Sequence, residues 1–336
     1  MKRLLLPLVV VTCLVQPSVA AGRPDPLQAQ QWDLAQVNAA QAWGTSTGKG
    51  VTVAVIDSLV DGRHPDLRGA VLAGVDLTGA GRYGSGVDPY SYHATAISGI
   101  IAARRNGVGI VGVAPEATIL PIRIGNGATI DLNLLPAAIR YAVGHHARVI
   151  SLSIGLVAPV GPALTAAGLD DELIAAISYA WQHDVLVVAA AGNNAVPYCD
   201  SPASLAHVLC VGALDKRQLR SYYSQGSSVA DGDYLMAPGG GSNVEGIGED
   251  FLSTTTPGTS EGVSGSPATG QWTEVVGTSY AAPHVAAVAA LLRARGLSAA
   301  RTLACLEATA QDLGVPGVDP VYGYGEVDAA AAVRCR

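Results

Sequence analysis

Two kinds of apolar segment alternate along the first two-thirds of the chain. One kind is short, continuous and rich in β-branched residues: residues 51–57 (VTVAVID), 118–124, 149–154, 185–191 and 208–213. Runs of this length without a polar alternate are the pattern of strands buried on both faces. The other kind is longer and amphipathic, at residues 132–143 and 171–183, and predicts helices. Strands that alternate with helices predict an α/β fold with three layers, a mostly parallel β-sheet flanked by helices on both faces. In such sheets chemistry gathers beyond the carboxyl ends of the strands. Asp57, Ser153 and Asn193 fall at such ends.

The amino-terminal pattern is different. Lys2 and Arg3 precede an apolar run over 4–15, and Ser18-Val19-Ala20 supplies a small-x-small cleavage pattern, so residues 1–20 read as a secretory signal peptide. Residues 21–30 then form a short extension and 31–336 one domain. With 336 residues and 49% hydrophobic content, the chain can bury a single large core. The segment 239–270 is rich in Gly, Ser and Thr and predicts a long surface loop.

Removal of Lys2 and Arg3 with the signal leaves 18 basic against 27 acidic residues, a net charge of −9, which argues against nucleic acid as a partner. No later apolar run is long enough for a membrane anchor, and no heptad pattern marks a docking helix, so a secreted monomer, extracellular or periplasmic, is expected. Cys199, Cys210, Cys305 and Cys335 remain, an even count in an exported chain. Three pairings are open. The local pairs Cys199 with Cys210 and Cys305 with Cys335 are favoured, and the spacing is not that of a zinc site.

Residues 277–285 read GTSYAAPHV and run into the alanine-rich stretch 286–292. A turn followed by a helix puts Ser279 at the helix's amino end, where unpaired backbone N–H groups stabilise a developing oxyanion. Pro283 is expected early in that helix. GTSYAAPHVA resembles the nucleophile motif of the subtilisin-like serine proteases. AVIDSLVDGRHPDL resembles that family's aspartate motif, SYHATAISGIIAA its histidine motif and VVAAAGNN its oxyanion motif. The resemblance runs from Trp32 onward, in the chain order Asp, His, Ser.

This resemblance implies a serine endopeptidase that cleaves protein or peptide substrates with Asp57, His93 and Ser279 as a catalytic triad. Asn193 and the Ser279 N–H would form the oxyanion hole, and Ser153, Ile154 and Gly155 would pair with the substrate backbone. The other six histidines read as structural. By position relative to Val211-Gly212-Ala213, Asp200 falls near the floor of the specificity pocket, where a buried carboxylate favours Lys or Arg. The alternative is a solvated turn aspartate. No cofactor is implied for the chemistry. Asp66 and the loop 104–110, with Asn106, resemble parts of a family calcium site, although Arg104 and Arg105 oppose a cation unless they point away.

Four positions depart from the family pattern. Ala94 and Ala96 stand where glycine and often a second histidine follow the catalytic histidine, Leu59 replaces a glycine near Asp57, and Leu156 another glycine at the substrate edge. If Ala94, Ala96 and Leu59 stand where glycine permits a close backbone approach, the added carbons would displace the triad and leave a peptide-binding protein without activity, whereas Leu156 would narrow the cleft on one side or pack under the next loop. A dinucleotide-binding oxidoreductase is a weaker alternative, since no G-x-G-x-x-G follows the first strand.

Overall fold

The computed structural model describes residues 24–79, 92–126, 129–155, 170–227, 232–241, 250–255 and 271–336. The signal sequence, Leu156 and most of the 239–270 segment lie outside the described residues. The five predicted runs are strands β1 (Thr52–Asp57), β3 (Thr118–Arg123), β4 (Val149–Leu152), β5 (Leu186–Ala190) and β6 (Val208–Leu214). Two further strands, β2 (Val75–Asp76) and β7 (Tyr234–Pro238), complete a seven-stranded sheet in the order β2-β3-β1-β4-β5-β6-β7, with every pair parallel. The expected three-layer α/β architecture is therefore present.

Each strand sends successive side chains to opposite cores. In β1, Val53 and Val55 join a core with Ile97 and Ile101 of α1 (Tyr92–Ala102) and with Val285 and Val288 of α4 (Thr278–Ala294). Ala54 and Ile56 face the other core, with Leu135 and Ile139 of α2 (Leu135–Gly144) and Ile177 of α3 (Asp171–Gln182). Because helices cover both faces, β1 shows no polar alternate. The predicted helix at 132 begins instead as a single 3₁₀ turn, Leu132–Leu134, which Asp131 caps by accepting the Asn133 N–H.

One expectation fails in part. Within the Gly, Ser and Thr-rich segment, Phe251–Thr254 forms strand β8, which pairs antiparallel with β9 (Trp272–Val275). Its hydroxyls face α1, with Ser253 Oγ donating to the Ala96 carbonyl at 2.8 Å and Thr254 Oγ1 to the Thr95 carbonyl at 2.7 Å. Contact is so close at Gly99 that a Cβ there would lie 2.2 Å from Thr254 Oγ1. The strand is polar because it binds a helix backbone.

Both favoured disulfides are formed, Cys199–Cys210 and Cys305–Cys335. The second ties α5 (Ala299–Ala308) to the carboxyl terminus. Closing that loop in the unfolded chain removes entropy worth roughly 3 to 4 kcal/mol.

Glu326, only 1% exposed, accepts hydrogen bonds from the Gln36 amide at 2.6 Å and the Gln218 amide at 2.5 Å. Burial, aided by the charge of Asp328, pushes its carboxyl up to about 7. The native state therefore keeps a proton that the unfolded chain releases above its ordinary carboxylate range. Stability should fall as pH rises from about 5 to 7, by up to roughly 3 kcal/mol from this group. Glu326→Gln is expected to flatten that part of the denaturant-measured pH profile; an unchanged slope would remove the assignment.

Candidate active site

Asp57 ends β1, and its side chain is 1% exposed. Its carboxylate accepts the Ser58 N–H at 2.6 Å, and both oxygens lie 3.0 Å from His93 Nδ1. His93 stands in the first turn of α1 with its ring one-fifth exposed. A carboxylate only accepts, so Nδ1 carries the proton and the Nε2 lone pair is left for other chemistry. On its other side the ring packs against Tyr280, with centroids 5.4 Å apart.

Ser279 occupies the first turn of α4, directly after Thr278 and a Gly277 whose φ of +140° suits only glycine. Pro283 lies beyond that turn, inside the helix, and has no N–H to give to the Ser279 carbonyl four residues back. Ser153 fills the vacancy. Its hydroxyl donates to the Ser279 carbonyl at 2.6 Å, and the Ser279 hydroxyl in turn lies 3.2 Å from the Ser153 carbonyl oxygen. A cleft of about 320 Å³ opens here, lined by Asp57, His93, Ile130, Leu132, Ser153, Ile154 and Gly155.

Asn193 follows β5 through Gly192, another positive-φ glycine. Its side-chain oxygen accepts from the Thr278 N–H at 3.0 Å and from the Thr278 hydroxyl at 2.8 Å. The same hydroxyl accepts the Gly192 N–H at 3.2 Å. With its oxygen held, the amide presents its nitrogen on the Ser279 side. A Cβ placed on Gly277 would lie 3.6 Å from Asn193 Nδ2 and 3.8 Å from the Ser279 nitrogen, so both donors border one spot. Thr278 was not singled out in the sequence; its place between the motif's glycine and serine was the available signal.

Asp200 is 3% exposed, so it is not the solvated turn residue of the alternative reading. Its N–H donates to the Ala191 carbonyl at 2.8 Å, and its Cβ lies 3.3 Å from where a Cβ on Gly155 would sit. The Cys199–Cys210 disulfide anchors the neighbouring residue to β6. Ala94, Ala96 and Leu59 are all buried in the core, and the Asp57–His93 contact forms with them in place. Of the other histidines, His284 bonds Asp33 and the Tyr280 carbonyl, and His64 bonds the Gln271 carbonyl and the Asp66 N–H. His145 and His183 bond tyrosine carbonyls one turn back, and His207 stacks on Trp181.

The calcium-like loop passes a test of fit. Asp66 Oδ2 accepts from the Ile110 N–H and the Trp272 indole, whereas Oδ1 is buried with no partner. Burial pushes this carboxyl up to about 6. Asp25, from the segment before the predicted domain start, accepts the Asn106 and Gly107 N–H groups, each at 3.0 Å. Arg104 points away to the carbonyls of Gly69, Pro115 and Ala117, and Arg105 lies over the Trp43 ring. The two arginines therefore do not oppose a cation. Among the described residues no three of His, Cys, Asp and Glu gather as a metal site, so an ion here would also need neutral oxygens such as Asn106 Oδ1.

Comparison with known proteins identifies the family. The subtilase family (Peptidase S8) profile matches residues 48–325. Thermitase of Thermoactinomyces vulgaris is 33% identical over 310 residues, covering 91% of this chain and 96% of thermitase. Fervidolysin of Fervidobacterium pennivorans is 36% identical over 334 residues, but there the chain spans only 45% of its relative. The crystal structure of a lanthipeptide protease superposes with a TM-score of 0.79 at 28% identity, over 93% of this chain and 98% of that one.

Proposed function

Since the chain belongs to the subtilase family and is a subtilisin-like serine endopeptidase, we propose that Asp57, His93 and Ser279 are its catalytic triad. The observation that carries this reading is His93 Nδ1 held at 3.0 Å by both oxygens of a buried carboxylate, beside a cleft at whose edge Ser153 grips Ser279. Ser279 Oγ attacks the scissile carbonyl while His93 Nε2 takes its proton. Asp57 holds the ring and stabilises the imidazolium. The carbonyl oxygen gains charge opposite Asn193 Nδ2 and the Ser279 N–H. Collapse breaks the C–N bond, and His93 returns the proton to the leaving amine. Water, with its proton taken by His93, then cleaves the acyl ester and regenerates Ser279.

The substrate backbone pairs with Ser153, Ile154 and Gly155, an edge already lining the cleft. Residues 1–20 direct export, consistent with two disulfides in the folded chain. The described residues contain no helix long and apolar enough to cross a membrane. The exported domain, residues 31–336 in this reading, acts as a monomer. Asp66, Asp25 and Asn106 would hold a structural calcium ion, which would take no part in the chemistry and would tie the 104–110 loop to the amino-terminal segment.

Four outcomes are expected. Ser279→Ala and His93→Ala should each lower kcat on a peptide substrate by on the order of a millionfold, a magnitude set by subtilisin itself, and the double variant should be no worse. Additive losses would mean that the two residues do not act together. Asn193→Ala should lower kcat roughly 100- to 1,000-fold, again the subtilisin magnitude, with KM nearly unchanged. Thr278→Val should lower kcat about 10-fold by freeing the Asn193 amide, and Thr278→Ser should restore it; a loss confined to KM would contradict the positioning role. Chelation should lower Tm by on the order of 5 °C, and Asp66→Asn should abolish that response; an unchanged wild-type Tm would remove the ion.

A further inference from the structure

We propose that the buried pair Asp200 and Gln225, packed against Gly192 beside the Gly155 edge, selects lysine or arginine as the residue on the acyl side of the scissile bond, with Gln225 reading the cation together with Asp200. The inference deepens the proteolytic reading and rests on it for the direction in which substrate enters. Its new element is Gln225, which has no counterpart among the motifs. Gln225 is fully buried, and neither its amide nitrogen nor its amide oxygen has a partner. Buried amides are nearly always bonded, so an orphaned one marks a place where something else belongs.

The geometry says what belongs there. A Cβ on Gly192 would sit 2.4 Å from Asp200 Oδ2 and also 2.4 Å from Gln225 Oε1, so the two oxygens are neighbours against one bare α-carbon. The backbone fixes this pairing: the Gln225 N–H donates to the Gly192 carbonyl at 3.1 Å, and the Gln225 carbonyl accepts from the Tyr234 hydroxyl at 2.8 Å. Gly192 adjoins Asn193, and Gly155 ends the substrate-pairing edge, with its missing Cβ 3.3 Å from Asp200 Cβ. A substrate side chain that reaches this pair from the Gly155 edge meets a carboxylate and an amide oxygen. An ammonium or guanidinium has several N–H donors and a positive charge for both acceptors. A phenyl or isobutyl group would bury them against hydrocarbon and leave the amide unpaired.

The test compares kcat/KM on peptide amides that differ only in Lys, Arg, Phe or Leu at this position. The wild type should favour Lys and Arg by at least about 10-fold. The Lys-to-Phe ratio should fall about 100-fold in Asp200→Asn and about 10-fold in Gln225→Leu, and rise in Gln225→Glu, which adds a second carboxylate. A wild-type preference for Phe or Leu, or an unchanged ratio in both Gln225 variants, overturns the proposal. A binding measurement separates it from the proteolytic reading. Ser279→Ala protein should bind a product peptide ending in Arg at least about 10-fold more tightly than one ending in Phe. Equal binding overturns the pocket even where turnover is seen. Preferential binding with no wild-type turnover on any substrate overturns the proteolytic reading and leaves the pocket standing.

Discussion

A carboxylate buried at the end of β1, an interior strand of the sheet, is the constraint around which the cleft is arranged. Asp57 can remain charged there only with donors pointed at it, and Ser58 N–H and His93 supply them. That requirement fixes the first turn of α1 against the end of β1. The sheet order then does the rest, because β1, β4 and β5 are consecutive neighbours. Strands stand roughly 4.8 Å apart, so Asp57, Ser153 and Asn193, each at or just past a strand end, are brought side by side although 136 positions separate the first from the last.

The two helices that complete the site are presented in the same way. His93 and Ser279 both stand in first turns, of α1 and α4, where backbone N–H groups point outward. A proline inside α4 removes one helical hydrogen bond, and the carbonyl it releases becomes the grip by which Ser153 holds the Ser279 backbone. Thr278 performs the matching task for the oxyanion side, binding the oxygen of Asn193 so that the amide nitrogen faces the cleft. A local break in helical bonding thus becomes a tertiary contact at the site.

Much of this was legible in the sequence, and the failures have physical reasons. The five strands of the central sheet were continuous apolar runs because both their faces are covered. Helix α1 carried no amphipathic period, since Ala94 through Ala102 are buried without interruption. Strand β7 escaped notice because YLMAP holds no β-branched residue, and β8 because its hydroxyls serve the α1 backbone rather than solvent. Leu59, Ala94 and Ala96 seemed threatening as departures from glycine, yet the close approach in α1 falls at Gly99. Thr278 and Gln225 act through contacts with residues 85 and 33 positions away, at Asn193 and Gly192, a distance that no local pattern spans.

The central claim is that Ser279 is an activated nucleophile. Mass-spectrometric mapping of a serine-directed fluorophosphonate on purified residues 21–336, beside the Ser279→Ala protein, tests it most directly. The account predicts one phosphonylated residue, Ser279, and no labelling of the variant. Folded protein that takes up no label, or that is labelled elsewhere with Ser279 untouched, would contradict it and leave a subtilase fold that binds peptides without cutting them.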